Sequence, residues 1–388
     1  MSGNAGSSWR TVDSQQEFVA CCEKWRPVSA LAVDTEFMRT NTFYPRLGLL
    51  QVGDGDAVYL IDPLQIKDWS PFTSLLSDPQ RTIVMHSAGE DLTVFQTTFN
   101  QLPLNLFDTQ VAAAYLDKGF SLSYQALVKE VIGDDIPKDE TRSDWLQRPL
   151  SEAQLRYAAL DVEYLLAIRD SLTSALLSQN MYQWFEEDSQ QLLSTAKVQE
   201  EKSSWESCFE KVSNAWRLDQ RELLFLQQLC YWRETEARRR NKPRNWIAKD
   251  ADLLEIAQVF ARDEALAYDN WRRVSGVNQG FIRHNGERLI EILRNPVTAS
   301  SASPSSLAPP LPPNQRNQLK QLRQIVVETA EELGIAPELL ARKRWITDLM
   351  QNSLAGLTNP WPDSLRGWRQ ELLEPGFQSV LNRLHGNG

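Results

Sequence analysis

The sequence predicts a multidomain protein: an α/β front with a mixed sheet, followed by two all-α modules. Three observations carry this. Short apolar runs with strand character gather in the first ninety residues and are scarce afterwards. A Pro- and Ser-rich stretch over 295–314 holds six of the chain's 19 prolines and cannot build a core. The segments on either side of it repeat each other at an offset of 93 residues. A length of 388 residues suits two or three such domains.

In the front, Ala30–Val33, Leu49–Val52 and Ala57–Ile61 read as strands. Gly53-Asp54-Gly55-Asp56 supplies a tight turn between the second and third, so the three form an antiparallel meander. Ile83-Val84-Met85 is a fourth strand, and Gly89 to Thr98 a helix after it. Ser151-Glu152-Ala153-Gln154 is a capping-box start. The helix it opens carries an apolar stripe of Leu155, Ala158, Ala159, Val162, Leu165 and Leu166. An acidic, Ser- and Gln-rich segment over 186–212 interrupts the apolar pattern and reads as a softer boundary. Beyond it, the 93-residue offset pairs Leu226 with Leu319, Ala237 with Ala330, Ile247-Ala248-Lys249 with Leu340-Ala341-Arg342, and Ile256 with Leu349. The expected division is 1–185, linker 186–212, 213–294, linker 295–314, and 315–388.

Composition narrows the class. Hydrophobic residues make up 42% and charged residues 24%, enough to bury cores and stay in solution. No apolar run approaches the ~20 residues of a membrane span, and Met1-Ser2-Gly3-Asn4 does not open a secretory signal. Four cysteines without a C-x-x-C make neither a disulfide framework nor a zinc set. A cytoplasmic protein with no obligatory protein partner is expected. The net charge of −10 is unevenly placed: residues 1–180 hold 14 basic against 24 acidic side chains, and residues 211–295 hold 16 against 12. A polyanionic substrate would need cations to approach such a front, and the middle of the chain could steer it.

Three carboxylate motifs carry the chemistry. In Val33-Asp34-Thr35-Glu36-Phe37, the two acids lie two apart at a strand end and leave the same face. A solvated strand end would be the ordinary reading of that pair. In His86-Ser87-Ala88-Gly89-Glu90-Asp91, Asp91 falls in the first turn of a helix, where an acid also serves the dipole. In Tyr157-Ala158-Ala159-Leu160-Asp161, Tyr157 and Asp161 are i and i+4 and stack on one face. Taken together, four carboxylates converging on one spot need divalent cations to neutralise them. Oxygen ligands select Mg²⁺ or Mn²⁺, and two such ions are a device for in-line phosphodiester cleavage.

These motifs, in this order, resemble the ribonuclease D family of 3′-to-5′ exoribonucleases in the DEDD superfamily. Asp108-Thr109-Gln110-Val111-Ala112-Ala113 and Asp144-Trp145-Leu146-Gln147-Arg148-Pro149-Leu150-Ser151 add to the likeness, and Tyr157 places it in the tyrosine branch. The resemblance spans nearly the whole chain. It implies a ribonuclease H-like exonuclease domain followed by two helical HRDC domains. It also implies that Asp34 bridges two metal ions, that Glu36 and Asp161 complete the ion serving the attacking water, and that Asp91 helps hold the second. Tyr157 would orient that water. The implied substrate is RNA, in particular transfer RNA precursors with 3′ trailers, and the implied products are nucleoside 5′-monophosphates.

Contacts to RNA are expected at three places. Phe37 and Met38 follow the first acids and can wedge against terminal bases. His86 precedes the second motif. In the first repeat, Arg238, Arg239, Arg240, Lys242 and Arg244 leave a long helix beside Trp246, a pairing suited to phosphates and bases. Arg342-Lys343-Arg344-Trp345 is a shorter counterpart in the second repeat, set among acids and expected to bind more weakly. Among the rivals, a DNA exonuclease shares the metal site, a silent RNA-binding scaffold would lack one of the acids, and a helicase would carry a phosphate loop that is absent.

Overall fold

The computed structural model describes residues 9–137, 143–295, 304 and 306–385. Residues 296–303 and 305, nine of the twenty in the linker expected over 295–314, lie outside the described residues. Six strands form one mixed sheet: β1 (Trp9–Val12), β2 (Ala30–Met38), β3 (Arg46–Gly53), β4 (Val58–Ile61), β5 (Thr82–Met85) and β6 (Leu106–Asp108). Their order is β1-β4-β3-β2-β5-β6. The β2-β3-β4 meander is antiparallel, and β1 on β4, β5 on β2 and β6 on β5 are parallel. The edge strands β1 and β6 extend the four strands expected from sequence. At four and three residues they are too short for alternation to show.

Among the described residues, eight helices accompany the sheet: α1 (Gln15–Trp25), α2 (Ser70–Leu76), α3 (Gly89–Thr98), α4 (Thr109–Ala114), α5 (Tyr124–Val131), α6 (Glu152–Glu163), α7 (Leu165–Ser178) and α8 (Tyr182–Gln199). Leu31, Val33, Ile83 and Met85 pack with Phe18, Phe72 and Phe95 in one core. Ala30, Ala32 and Val84 pack with Ala158, Val162 and Ile168 in another. Burial on both faces explains why β2 opens as an unbroken apolar run. The stripe expected on a single helix is divided at Tyr164, so Leu165 and Leu166 belong to α7. The segment 186–212 departs from an irregular linker. α8 runs to Gln199 with Phe185, Ser189 and Leu193 buried, which hides its apolar face within a polar composition.

Two compact units emerge. One comprises Arg39–Pro45 and Lys197–Pro310, with α9 (Lys202–Trp205), α10 (Gln220–Arg240), α11 (Arg244–Ile247), α12 (Asp250–Ala261) and α13 (Gln279–Arg294). A capping box of Asp219 and Glu222 starts α10, and Asn241 ends it in the left-handed region at φ 48°. The Asn241 side-chain oxygen accepts the Phe43 and Tyr44 N–H groups at 3.0 and 2.9 Å.

The other unit comprises Met1–Met38, Arg46–Ala196 and Leu311–Gly388. Its C-terminal part holds α14 (Arg316–Leu333), α15 (Pro337–Leu340), α16 (Lys343–Leu354) and α17 (Trp368–His385). The 93-residue offset maps α11 onto α15 and α12 onto α16 residue for residue. This second module shares one core with the sheet layers. Trp368 stacks on Trp184 with ring centroids 4.7 Å apart. The Arg369 guanidinium forks onto Asp188 at 2.7 and 2.5 Å, Asp188 accepts the Tyr115 hydroxyl at 2.8 Å, and the Ala336 N–H reaches the Ala114 carbonyl at 2.9 Å.

Candidate active site

Strand alternation sets the site. Ala30 and Ala32 face the α6 layer, so Asp34 and Glu36 leave on that side as well. α6 brings Asp161 to meet them. Among the described residues, Asp34, Glu36 and Asp161 form a group in which one carboxylate oxygen from each lies within 4.8 Å of the others. Thr35 points the other way, and its hydroxyl donates to the Asp91 carboxylate. Asp91 is buried in the first turn of α3, outside that group of three. It nevertheless acts on the Asp34 and Glu36 charges. Glu90, its neighbour, is exposed. The β2–β3 register shifts between Glu36 and Phe37. Beyond that bulge Phe37 packs half-buried on the α1–α3 side and Met38 on the α6 side.

Burial and mutual repulsion dominate the electrostatics. Burial, then the charges of Asp91, Asp161 and Glu36, pushes Asp34 well above the usual carboxylate range. Glu36 rises to about 9 through burial and the charges of Asp161 and Asp91. Burial lifts Asp91 to about 7 against the opposing Thr35 hydrogen bond. Asp161 also rises to about 7 by burial, opposed by a hydrogen bond from Tyr157. Burial and the negative charges of Asp161, Glu36 and Asp34 drive the Tyr157 phenol far upward. It therefore stays protonated at neutral pH and serves as a donor.

This donor set fits a hard divalent cation. Every candidate ligand is a carboxylate oxygen. Gln51 adds to the fit. It lies directly across from Asp34 in the antiparallel pair, is fully buried, and among the described residues has no hydrogen-bond partner for either amide atom. Such unmet polar groups suit a hydrated ion.

Several supporting residues had no assigned role in the sequence reading. Asp108 caps α4 and accepts the Ser87 and Ala88 N–H groups at 2.9 Å each. It thereby fixes the turn into α3, where Ser87 is left-handed at φ 59°. Trp145 packs on Tyr157 with ring centroids 6.2 Å apart. It seats directly on Gly48, where a Cβ would stand 2.7 Å from its Cβ and its carbonyl oxygen. Arg148 ties the same segment to β3 by donating to the Gly48 carbonyl at 2.7 Å, and it pairs with Asp62 at 2.6 Å. The Tyr124 hydroxyl donates to the Leu160 carbonyl at 3.0 Å, beside Asp161. Asp108, Trp145 and Arg148 lie in the two stretches that add to the family likeness, but the sequence did not show what each holds in place.

The expected RNA contacts fall into distinct settings. Both His86 ring nitrogens are engaged, with the Thr109 hydroxyl at 2.9 Å and the Leu122 carbonyl at 3.1 Å. Burial also lowers its pKa, so it is a neutral, internally bonded histidine. The arginine run is not one open patch. Arg238 has a side chain only 7% exposed, paired with Glu234 and Glu200 and packed over Phe43 and Trp205. Arg244 pairs with Glu234 and stacks over Phe43. Arg239 is exposed but paired with Glu236 at 2.7 Å. Arg240 is exposed, and Lys242 lies 5.6 Å over the ring of Trp246, which is 63% exposed. The buried Glu234 and Glu236 pair with Arg238, Arg244 and Arg239.

A mixed sheet with carboxylates at a strand end, a helix start and a helix middle defines a metal-dependent nuclease domain. Residues 9–177 match the 3′-5′ exonuclease family model. Residues 222–293 match the HRDC domain, and residues 313–377 the C-terminal HRDC domain of ribonuclease D. The chain is 43% identical to ribonuclease D of Pseudomonas paraeruginosa, over 94% of each chain. It is 33% identical to that of Escherichia coli, over 96% of this chain and 98% of the relative. The crystal structure of Escherichia coli RNase D, described as an exoribonuclease involved in structured RNA processing, superposes with a TM-score of 0.83. That match has 32% identity and covers 97% of this chain and 99% of that one. The chain belongs to the ribonuclease D family and is a 3′-5′ exoribonuclease that uses divalent metal ions.

Proposed function

We propose that this enzyme removes nucleoside 5′-monophosphates one at a time from RNA 3′ ends with two metal ions, Mg²⁺ or Mn²⁺. Its substrates on this reading are cytoplasmic transfer RNA precursors with 3′ trailers and other small structured RNAs. The observation that carries the proposal is the three-carboxylate group within 4.8 Å, with Asp91 beside it and a protonated Tyr157 above Asp161. Asp34, Glu36, Asp161 and Asp91 would hold the ions. When bound, such ions lower the pKa of water and stabilise charge on the attacking and leaving oxygens. Tyr157 donates a hydrogen bond that orients the attacking water, and its raised pKa excludes it as the base. Met38, on the α6 face with the acids, is where a terminal base would rest, and Phe37 packs on the opposite face of β2.

The division of labour follows 1–185 for cleavage, 213–294 for capture of structured RNA, and 315–388 as a second helical module. In the first module, Arg240, Lys242 and Trp246 are the cations and ring best placed for capture. No described helix is long and apolar enough to cross a membrane. The test is digestion of 5′-labelled and 3′-labelled RNA, and of matched DNA, with and without EDTA. Stepwise loss from the 3′ end, abolished by EDTA and much weaker on DNA, is expected. Release of internal fragments, or turnover in EDTA, would overturn the reading.

A further inference from the structure

The two helical modules differ at one corresponding point. α12 opens with Asp250 and Asp252 in its first turn, where acids complement the helix dipole. Its copy α16 has no acid there. It is capped by Arg342 and begins with Lys343 and Arg344. Cations at the positive end of a helix oppose the dipole, so helix stability does not explain them. Ion pairing does not explain them either. Arg344 reaches Asp348 only at 3.9 Å, with both side chains substantially exposed. Among the described residues, Arg342 and Lys343 have no carboxylate within ion-pair distance, and both are exposed.

Arg342 is held by aromatic rings. Its guanidinium lies 5.0 Å from the Phe120 centroid and 5.0 Å from that of Trp345. Both rings are half-buried and keep an exposed part. This cluster belongs to the same compact unit as the carboxylates. Phe120 stands two residues before Leu122, whose carbonyl accepts from His86 at 3.1 Å and from Gln110 at 3.0 Å. His86 in turn opens the segment that delivers Asp91.

We propose that Phe120, Arg342, Lys343, Arg344 and Trp345 form an RNA subsite of the catalytic unit, engaging the strand on the 5′ side of the nucleotide being removed. The proposal rests on RNA as substrate. Cations that track phosphates beside aromatic faces are the general means of holding a single strand without sequence preference. An acidic front needs such cations within its own unit, because a polyanion entering a carboxylate-lined site is otherwise repelled.

The test compares full-length wild type with Arg342→Ala, Lys343→Ala and Arg342→Lys. Turnover in Mg²⁺ is measured on a ribodinucleotide and on a twelve-nucleotide single-stranded RNA. Binding of the longer RNA is measured in EDTA across a salt series. For each alanine variant, Kd for the longer RNA should rise about 5-fold or more, and the salt slope should fall by about 0.7. The loss in kcat/KM should be at least several-fold greater on the longer RNA. Arg342→Lys should recover the slope but only part of the affinity, because the planar stack is lost. Equal losses on both substrates would mean the residues only hold the fold, and unchanged affinity and slope would mean they do not meet RNA. Either result overturns the subsite. A wild type that does not degrade RNA would instead overturn the substrate assignment.

Discussion

Asp34 shares its surroundings with three other acids, and this gives the metal-free protein a characteristic pH response. Glu36, Asp91 and Asp161 are held at about 9, 7 and 7, against ~4 in an unfolded chain. Between these values the native state keeps protons that the unfolded chain has released, so stability falls as pH rises from about 4 toward 9. Divalent ions should reverse the trend. Thermal melts in EDTA should decline steadily above pH 5, and the gain from Mg²⁺ should be larger at pH 8 than at pH 6. Asp161→Asn should flatten the EDTA curve; a wild-type melt insensitive to pH in EDTA would falsify the electrostatic account. On the catalytic side, Asp34→Asn and Asp161→Asn should each lower kcat by about 1,000-fold or more, the scale of losing a charge-stabilising group. RNA affinity should change little in a gel shift.

At the scale of elements, the segment 144–151 positions α6. It is bound to β3 through Arg148 and Gly48, and it ends in the Ser151/Gln154 capping box that starts the helix. Gly48→Ala would drive a methyl group against the Trp145 backbone oxygen at 2.7 Å. The expected cost is about 1–3 kcal/mol, as for other overpacked sites, and kcat should drop because Trp145 packs on Tyr157. Urea denaturation and steady-state kinetics on the same variant check both; wild-type values in both would show that β3 and Trp145 can part freely. Ser151→Ala removes only the cap and should cost about 1 kcal/mol.

For the molecule as a whole, the second helical module is part of the catalytic unit's core. Arg369 and Asp188 are 10% and 17% exposed, and Asp188 also accepts from Tyr115. Removing one partner of so enclosed a pair leaves an uncompensated charge. Arg369→Ala should therefore destabilise by about 3 kcal/mol or more, read as a lower urea midpoint. A chain ending before residue 311 should lose cooperative unfolding of the exonuclease part, since Trp184 and Tyr115 would lose Trp368. Sharp, unshifted unfolding of that truncated chain would contradict this. Arg240→Ala combined with Trp246→Ala should weaken binding of structured RNA far more than of a dinucleotide.

Local rules made the meander, the α6 cap, the 93-residue repeat and the acids legible in sequence, because periodicity, capping chemistry and residue type act over a few positions. The same rules could not place Asp91 in the opposite layer behind Thr35, since that follows from which face of β2 each helix covers. Nor could they show Arg238 buried between Phe43 and Trp205. A run of arginines looks alike in sequence whether the nearest carboxylates are beneath it or absent. The sequence by itself determined which groups carry charge and roughly where each element begins. Tertiary structure alone decided which of those charges face one another, because burial and the distances between remote segments set whether a charge is neutralised, left exposed, or held ready for an ion.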